Sequence, residues 1–167
     1  QTFSPPARVG TASIADAVVT GSGRVHVAYA SGGGHPFGDV ANRLDYAMSE
    51  DGGQTWASPS KISAEDESVP LHFASPRILA DVKNGILHAV YPAGTPDGRW
   101  NIVLAVSRDG GVTWERTVVH EEDNCSNHML PAAALDERTG RVHLTWIDNR
   151  TGAGVVAYAS CSVTAKA

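Results

Sequence analysis

The chain alternates short apolar runs with clusters of Gly, Asn, Asp, Ser and Pro, and no segment of useful length keeps a helical period. Short runs bounded by turn residues predict β-strands. They fall at about 12–19, 24–29 and 43–49, then at 77–80, 86–91 and 101–107, then at 132–135, 141–146 and 154–160. The middle member of each trio repeats one pattern: Arg24-Val-His-Val-Ala-Tyr29, Ile86-Leu-His-Ala-Val-Tyr91 and Arg141-Val-His-Leu-Thr-Trp146. Its histidines are 62 and 55 residues apart, which marks a repeated unit of nearly constant length.

Gly21-Ser-Gly23, Lys83-Asn-Gly85 and Arg138-Thr-Gly140 supply the turn between first and second strands. The third strand runs into a second repeat, Ser49-Glu-Asp-Gly-Gly-Gln-Thr-Trp56, which is written again 58 residues on as Ser107-Arg-Asp-Gly-Gly-Val-Thr-Trp114. Its Asp is placed to accept amides of its own turn, and its paired glycines suit positive φ. Thr and Trp then open a fourth strand, with Trp56 and Trp114 expected to be largely buried. The three units span approximately 12–62, 73–120 and 130–167 of a single domain, 1–167. In the third, Cys161 stands where the octet would begin and the octet is absent. Residues 3–9 match the fourth strand instead, Phe3, Pro6 and Val9 falling on Trp56, Pro59 and Ile62.

The octet resembles the Asp-box of sialidases and other BNR-repeat β-propellers. Ser49, Asp51, Gly52, Gly53, Thr55 and Trp56 carry one copy, and Ser107, Asp109, Gly110, Gly111, Thr113 and Trp114 the other. The resemblance implies an all-β propeller of four-stranded antiparallel blades, with the Asp-box as a structural hairpin away from the ligand face. Three blades per chain make half of a six-bladed propeller, with the N-terminal strand closing a blade. The partner implied is a second copy, as a homodimer, or another half-propeller chain.

At 167 residues the chain is long enough for a substantial core. A net charge of −5 argues against a nucleic-acid partner, and no apolar run is long enough for a membrane span. The start at Gln1, with no signal peptide, reads as a mature or excised product of a secreted protein. Ten Arg against three Lys suits an acidic ligand, although codon usage gives the same bias. Cys125 and Cys161 could form one disulfide by count. The strand pattern instead puts them at opposite ends of a unit, about 20 Å apart, where no bridge forms.

Loops 30–42, 63–72, 92–100, 120–130 and 147–153 lie opposite the octets. They carry His35, Asp39, Arg43, Glu65, Asp66, Glu67, His72, Asp97, Arg99, Trp100, Glu121, Glu122, Asp123, His128, Asp148 and Arg150. Surface composition makes most of these solvated loop residues. The ligand-binding set singled out is Arg77, Trp100, Arg150, His72, His128, Arg99 and Asp148. Trp100 beside Arg99 and Asp97 suits sugar stacking, or equally a strand start in the core. His26, His88 and His143 hold one repeat position around a ring and do not converge on a metal, so satisfied interior histidines are expected. No metal and no cofactor are expected.

The sialidase resemblance implies an arginine trio, a Tyr nucleophile paired with Glu, and an Asp acid/base. Tyr29, Tyr46, Tyr91 and Tyr158 all occupy repeat positions on strands, and Ser75-Pro-Arg-Ile78 only approximates the motif that supplies the first arginine. No catalytic residue is assigned. The function expected is a secreted module binding a carbohydrate or other extracellular ligand. The alternatives are an exo-glycosidase of sialidase type acting as an assembled six-bladed propeller, and a structural interaction scaffold.

Overall fold

The structure, a computed structural model, describes residues 2, 4–12, 14–32, 40–41, 43–70, 75–95, 98–120, 128–150 and 152–163. It is all-β. In chain order the strands are β1 (Ile14–Val19), β2 (Val25–Ser31), β3 (Val40–Ala41), β4 (Arg43–Ser49), β5 (Ser60–Lys61), β6 (Val69–Pro70) and β7 (Arg77–Asp81). There follow β8 (Ile86–Gly94), β9 (Trp100–Ser107), β10 (Glu115–Val118), β11 (His128–Asp136), β12 (Arg141–Asp148) and β13 (Val155–Ser162). They form sheet 1, β1-β2-β4-β5, sheet 2, β7-β8-β9-β10, and sheet 3, β11-β12-β13, all with antiparallel neighbours. The first strands β1, β7 and β11 lie side by side in that order.

The three repeats are thus three sheets, each wound strand by strand as the apolar pattern requires. Several details differ from the sequence expectation. Strand β8 runs on through Pro92–Gly94, and β11 starts at His128, so both reach into segments expected to be loops. A two-residue ribbon, β3 with β6, ties two of those segments together. Residues 4–12 form no strand here and are mostly exposed. The segment touches sheet 1 at Gly10, where a Cβ would lie 2.7 Å from the Tyr29 hydroxyl.

Sheet 2 is the middle layer, and this decides where the core sits. One face of β8 and β9, with Leu87, Ala89, Tyr91, Val103 and Ala105, packs on Ala28, Ala30, Leu44 and Tyr46 of sheet 1. The other, with Ile86, Val90, Ile102, Leu104 and Val106, packs on Val142, Leu144 and Trp146 of sheet 3. Every residue of β8 is therefore buried, which is why its sequence is apolar on both faces.

The two octets fold alike. Asp51 Oδ1 accepts the amides of Gln54 (2.9 Å) and Thr55 (2.8 Å), and Asp109 Oδ1 those of Val112 (3.1 Å) and Thr113 (2.9 Å). Ser49 and Ser107 donate to those carboxylates, and their Oγ atoms accept the amides of Gly53 and Gly111, both at 2.8 Å. The glycines have φ of 71° and 94° in one copy and 74° and 94° in the other. Trp56 and Trp114 are only partly buried, contrary to expectation. Each indole Nε1 donates 3.2 Å back to the second glycine's carbonyl, which keeps the ring folded over its own turn at the sheet rim.

Hydrogen bonds from Thr55, its hydroxyl first, hold the Asp51 carboxyl far below its usual range. Burial alone would raise Asp109, yet the Thr113 and Ser107 hydroxyls and the turn amides bring it down to about 2. Stability from such depressed carboxyls is complete above about pH 4 and is lost as pH falls towards the folded value. Replacing Asp109 by Ala should lower stability by about 1–2 kcal/mol, the cost of amides losing their acceptor at a solvated turn. Urea unfolding at neutral pH measures the loss, and ligand binding should be unaffected.

Candidate functional site

The connections between second and third strands define one end of each sheet, and the Gly-Gly turns define the other. Arg24 of the β1–β2 turn donates to Glu50 of the β4–β5 turn at 3.1 Å, which ties the turn end of sheet 1 together. The opposite end carries the polar groups.

In sheet 1, Asp45 is 2% exposed inside an otherwise apolar strand. Its Oδ2 accepts from the Ser31 hydroxyl at 2.5 Å and from Arg43 Nε at 2.9 Å. Arg43, itself half exposed at its side chain, is thereby fixed on the sheet edge. Ser31, Arg43 and Asp45 line an open cavity of about 500 Å³ together with Gly10, Thr11, Tyr29, Gly32 and Pro59. Burial pushes the Tyr29 hydroxyl up, and the Asp45 charge adds to the effect.

In sheet 3 the same end is built similarly. Asp148 is fully buried and takes both Arg150 Nε and Arg150 Nη2 at 2.6 Å, with the Arg150 amide at 3.0 Å. Burial alone would raise the Asp148 carboxyl, but the hydrogen bonds and charge of Arg150 hold it below its usual value. His128 pairs in register with Asp148 and clusters with His120 and Trp146, the three ring centroids lying 5.5–6.3 Å apart. Nε2 of His120 and Nε1 of Trp146 find no hydrogen-bond partner among the described residues.

The structure brings His128, Asp148 and Arg150 of the expected set into this one cluster. Arg77 is elsewhere, at the start of β7, with its guanidinium 3.8 Å from Asp16 of β1. Arg99 closes a tight turn with Thr95, and Trp100 opens β9 with its ring over Gly94, where a Cβ would come within 2.7 Å. Trp100 is therefore strand start and packing residue together, half buried at the rim. His72 lies outside the described residues, as do His35, Asp39, Asp97 and the acidic run 121–123. Cys161 is a half-buried thiol on β13, while Cys125 also lies outside them. Among the described residues no group of His, Cys, Asp and Glu is set to hold a metal ion.

Sequence reasoning missed Asp45 and Ser31. The signal was there: a carboxylate amid Leu44-Asp-Tyr-Ala-Met48 must be paired if it is buried. The repeat histidines are also less uniform than expected. His26 Nδ1 bonds the Tyr46 hydroxyl at 2.7 Å, and His143 Nδ1 the Tyr158 hydroxyl at 2.8 Å, but His143 is only partly buried. His88 is fully buried, and neither ring nitrogen has a partner among the described residues.

No family model matches the chain, and no curated protein matches it. Among solved structures it resembles the Hadza microbial sialidase Hz136, with a TM-score of 0.61 and 16% sequence identity. The likeness covers 87% of this chain and 34% of that one, so the chain spans about a third of the sialidase's length. A second match, beta-fructofuranosidase from Schwanniomyces occidentalis complexed with fructosyl-erythritol, has a TM-score of 0.45 at 15% identity, covering 84% of this chain and 31% of that one. The chain has a propeller-like, all-β fold resembling that part of the sialidase. At this identity the likeness speaks for fold alone.

Proposed function

We propose that this chain is a secreted carbohydrate-binding propeller module, three blades of a six-bladed ring that a second chain completes. The observation that carries the binding reading is the pair of arginine–carboxylate units, Arg43 on Asp45 and Arg150 on Asp148. Each sits at the end opposite the Gly-Gly turns, with a buried carboxylate fixing a half-exposed guanidinium. A guanidinium held by its inner edge offers its outer face to hydroxyls or a carboxylate, as recognition of an acidic sugar requires. The cavity beside Arg43 has room for one sugar unit.

Burial argues against two of the tyrosines as nucleophiles. Tyr91 is fully buried and donates to Glu67 at 2.8 Å, with burial and the Glu67 charge driving its hydroxyl far up. Tyr46 is pushed up to about 12 by burial. At 0% and 4% exposed, these hydroxyls lie out of a substrate's reach.

A glycan array read beside a fluorogenic sialoside panel tests the proposal. Binding without turnover supports it, turnover replaces it with the glycosidase, and blanks on both favour the interaction scaffold. Arg43→Ala should weaken binding by about tenfold, the loss typical of a charge-assisted contact, and should also lower the melting temperature, because it leaves the buried Asp45 carboxylate without its guanidinium.

A further inference from the structure

Sheets 1 and 2 are locked by one contact that the chain leaves unmade at its two outer faces. The Gly110-Gly111 turn of sheet 2 sits on Tyr46 of sheet 1. The Tyr46 hydroxyl donates to the Gly110 carbonyl at 3.2 Å, and Ser60 Oγ to the Gly111 carbonyl at 2.6 Å. Trp114 meets the Tyr46 ring edge-on at 5.5 Å. The fit is so close that a Cβ on Gly111 would fall 2.0 Å from the tyrosine ring.

Both halves of this contact occur again. On β13 of sheet 3, Tyr158 stands at the position of Tyr46, hydrogen-bonded to His143 as Tyr46 is to His26. Val156 likewise stands at the position of Leu44. Leu44 and Tyr46 are 0% and 4% exposed, whereas Val156 and Tyr158 are 74% and 61% exposed. On sheet 1, the Gly52-Gly53 turn has the same conformation as Gly110-Gly111, yet the nearest atom to a Cβ on Gly53 is its own Trp56, at 3.8 Å. A receiving tyrosine without a turn and a turn without a tyrosine lie at opposite ends of one stack of sheets.

We propose that Tyr158 receives the Gly52-Gly53 turn of a second copy of this chain, with Trp56 of that copy against the tyrosine edge. The inference rests on the six-bladed ring proposed above and commits its second half to an identical chain. Under two-fold symmetry each copy gives one turn and one tyrosine, so the pair closes with two equal contacts. The exposed Val156 and Tyr158 then become buried, as Leu44 and Tyr46 already are.

Light scattering after gel filtration of the 167-residue chain should give twice the chain mass. Tyr158→Glu places a charge in the contact and should raise the dimer dissociation constant by about tenfold or more. Because Tyr158 is exposed in the single chain, the circular dichroism and melting of the monomer should be unchanged. A benzophenone amino acid incorporated at position 158 should cross-link under light to residues 49–56 of the other copy, read by mass spectrometry of a mixture of light and heavy chains. A monomer at every concentration overturns the proposal, as does a dimer indifferent to Tyr158→Glu or a cross-link elsewhere. Glycan binding by such a monomer would leave the binding reading standing while removing the second copy, so the two failures are distinguishable.

Discussion

Gly111→Ala is expected to lower stability by about 3 kcal/mol or more, while Gly53→Ala lowers it by only about 1–2 kcal/mol, although the two glycines hold the same place in near-identical octets. Both have φ of 94°, so both substitutions meet the same backbone strain. The difference is the neighbour. A Cβ at Gly111 would lie 2.0, 2.5 and 2.6 Å from three ring atoms of Tyr46. That ring has no easy way to yield, because it is 4% exposed, bonded to His26 at 2.7 Å and flanked by Trp114. Around Gly53 the nearest atom among the described residues is 3.8 Å away. Urea unfolding of both variants at low protein concentration, where single chains dominate, checks the pair. Equal losses would show that the turn of sheet 2 does not dock on Tyr46 as described. At high concentration the Gly53 variant should in addition lose self-association, since its turn is the one offered to Tyr158.

This contrast also shows what the sequence could and could not reveal. Each octet was legible because its bonds run among Ser49, Asp51, Gly53 and Thr55, or their counterparts, within a few residues of one another. The strands were legible by the alternation of apolar positions, and the sheet order followed from the repeat. The docking of Gly111 on Tyr46 was not legible, because it joins residues far apart in the chain through shape alone. The candidate site divides in the same way. His128, Asp148 and Arg150 stood out as polar residues near predicted loops, and the structure places them together. Asp45 was hidden inside a strand, and Arg43 gained its importance only through that buried carboxylate. Arg77 was grouped with Arg150 as a candidate arginine cluster through the Ser75-Pro-Arg-Ile78 motif, yet its partner is Asp16, an exchange between neighbouring inner strands that the repeat alone does not specify. Residues 3–9 matched a fourth strand by pattern, but a strand forms only when paired along an edge, and residues 4–12 pair along none in this structure.

The second large effect is expected from His88 as pH falls. In sheets 1 and 3 the repeat histidine bonds a tyrosine hydroxyl, but in sheet 2 the tyrosine position is taken by Leu104. His88 is left fully buried with both ring nitrogens unpartnered among the described residues, and burial drives its pKa down to about 4, the Asp81 charge opposing and that of Arg108 assisting. The imidazole in the unfolded chain titrates near 6.5. Between those values the unfolded chain binds a proton that the folded chain refuses, so stability falls as pH drops from 7 towards 4, by about 3 kcal/mol from this group. Below pH 4 the loss from His88 levels off, and the Asp109 carboxyl, at about 2, takes over. His26, also lowered by burial, adds to the upper limb in the same direction. His88→Leu should remove most of that limb and raise stability at pH 7 by about 1–3 kcal/mol, since two unbonded polar atoms give way to apolar volume. Urea midpoints for both proteins at pH 7, 6, 5 and 4.5 provide the measurement. If His88→Leu keeps the full slope between pH 7 and 4.5, the acid sensitivity belongs to other groups and the buried imidazole carries a proton after all.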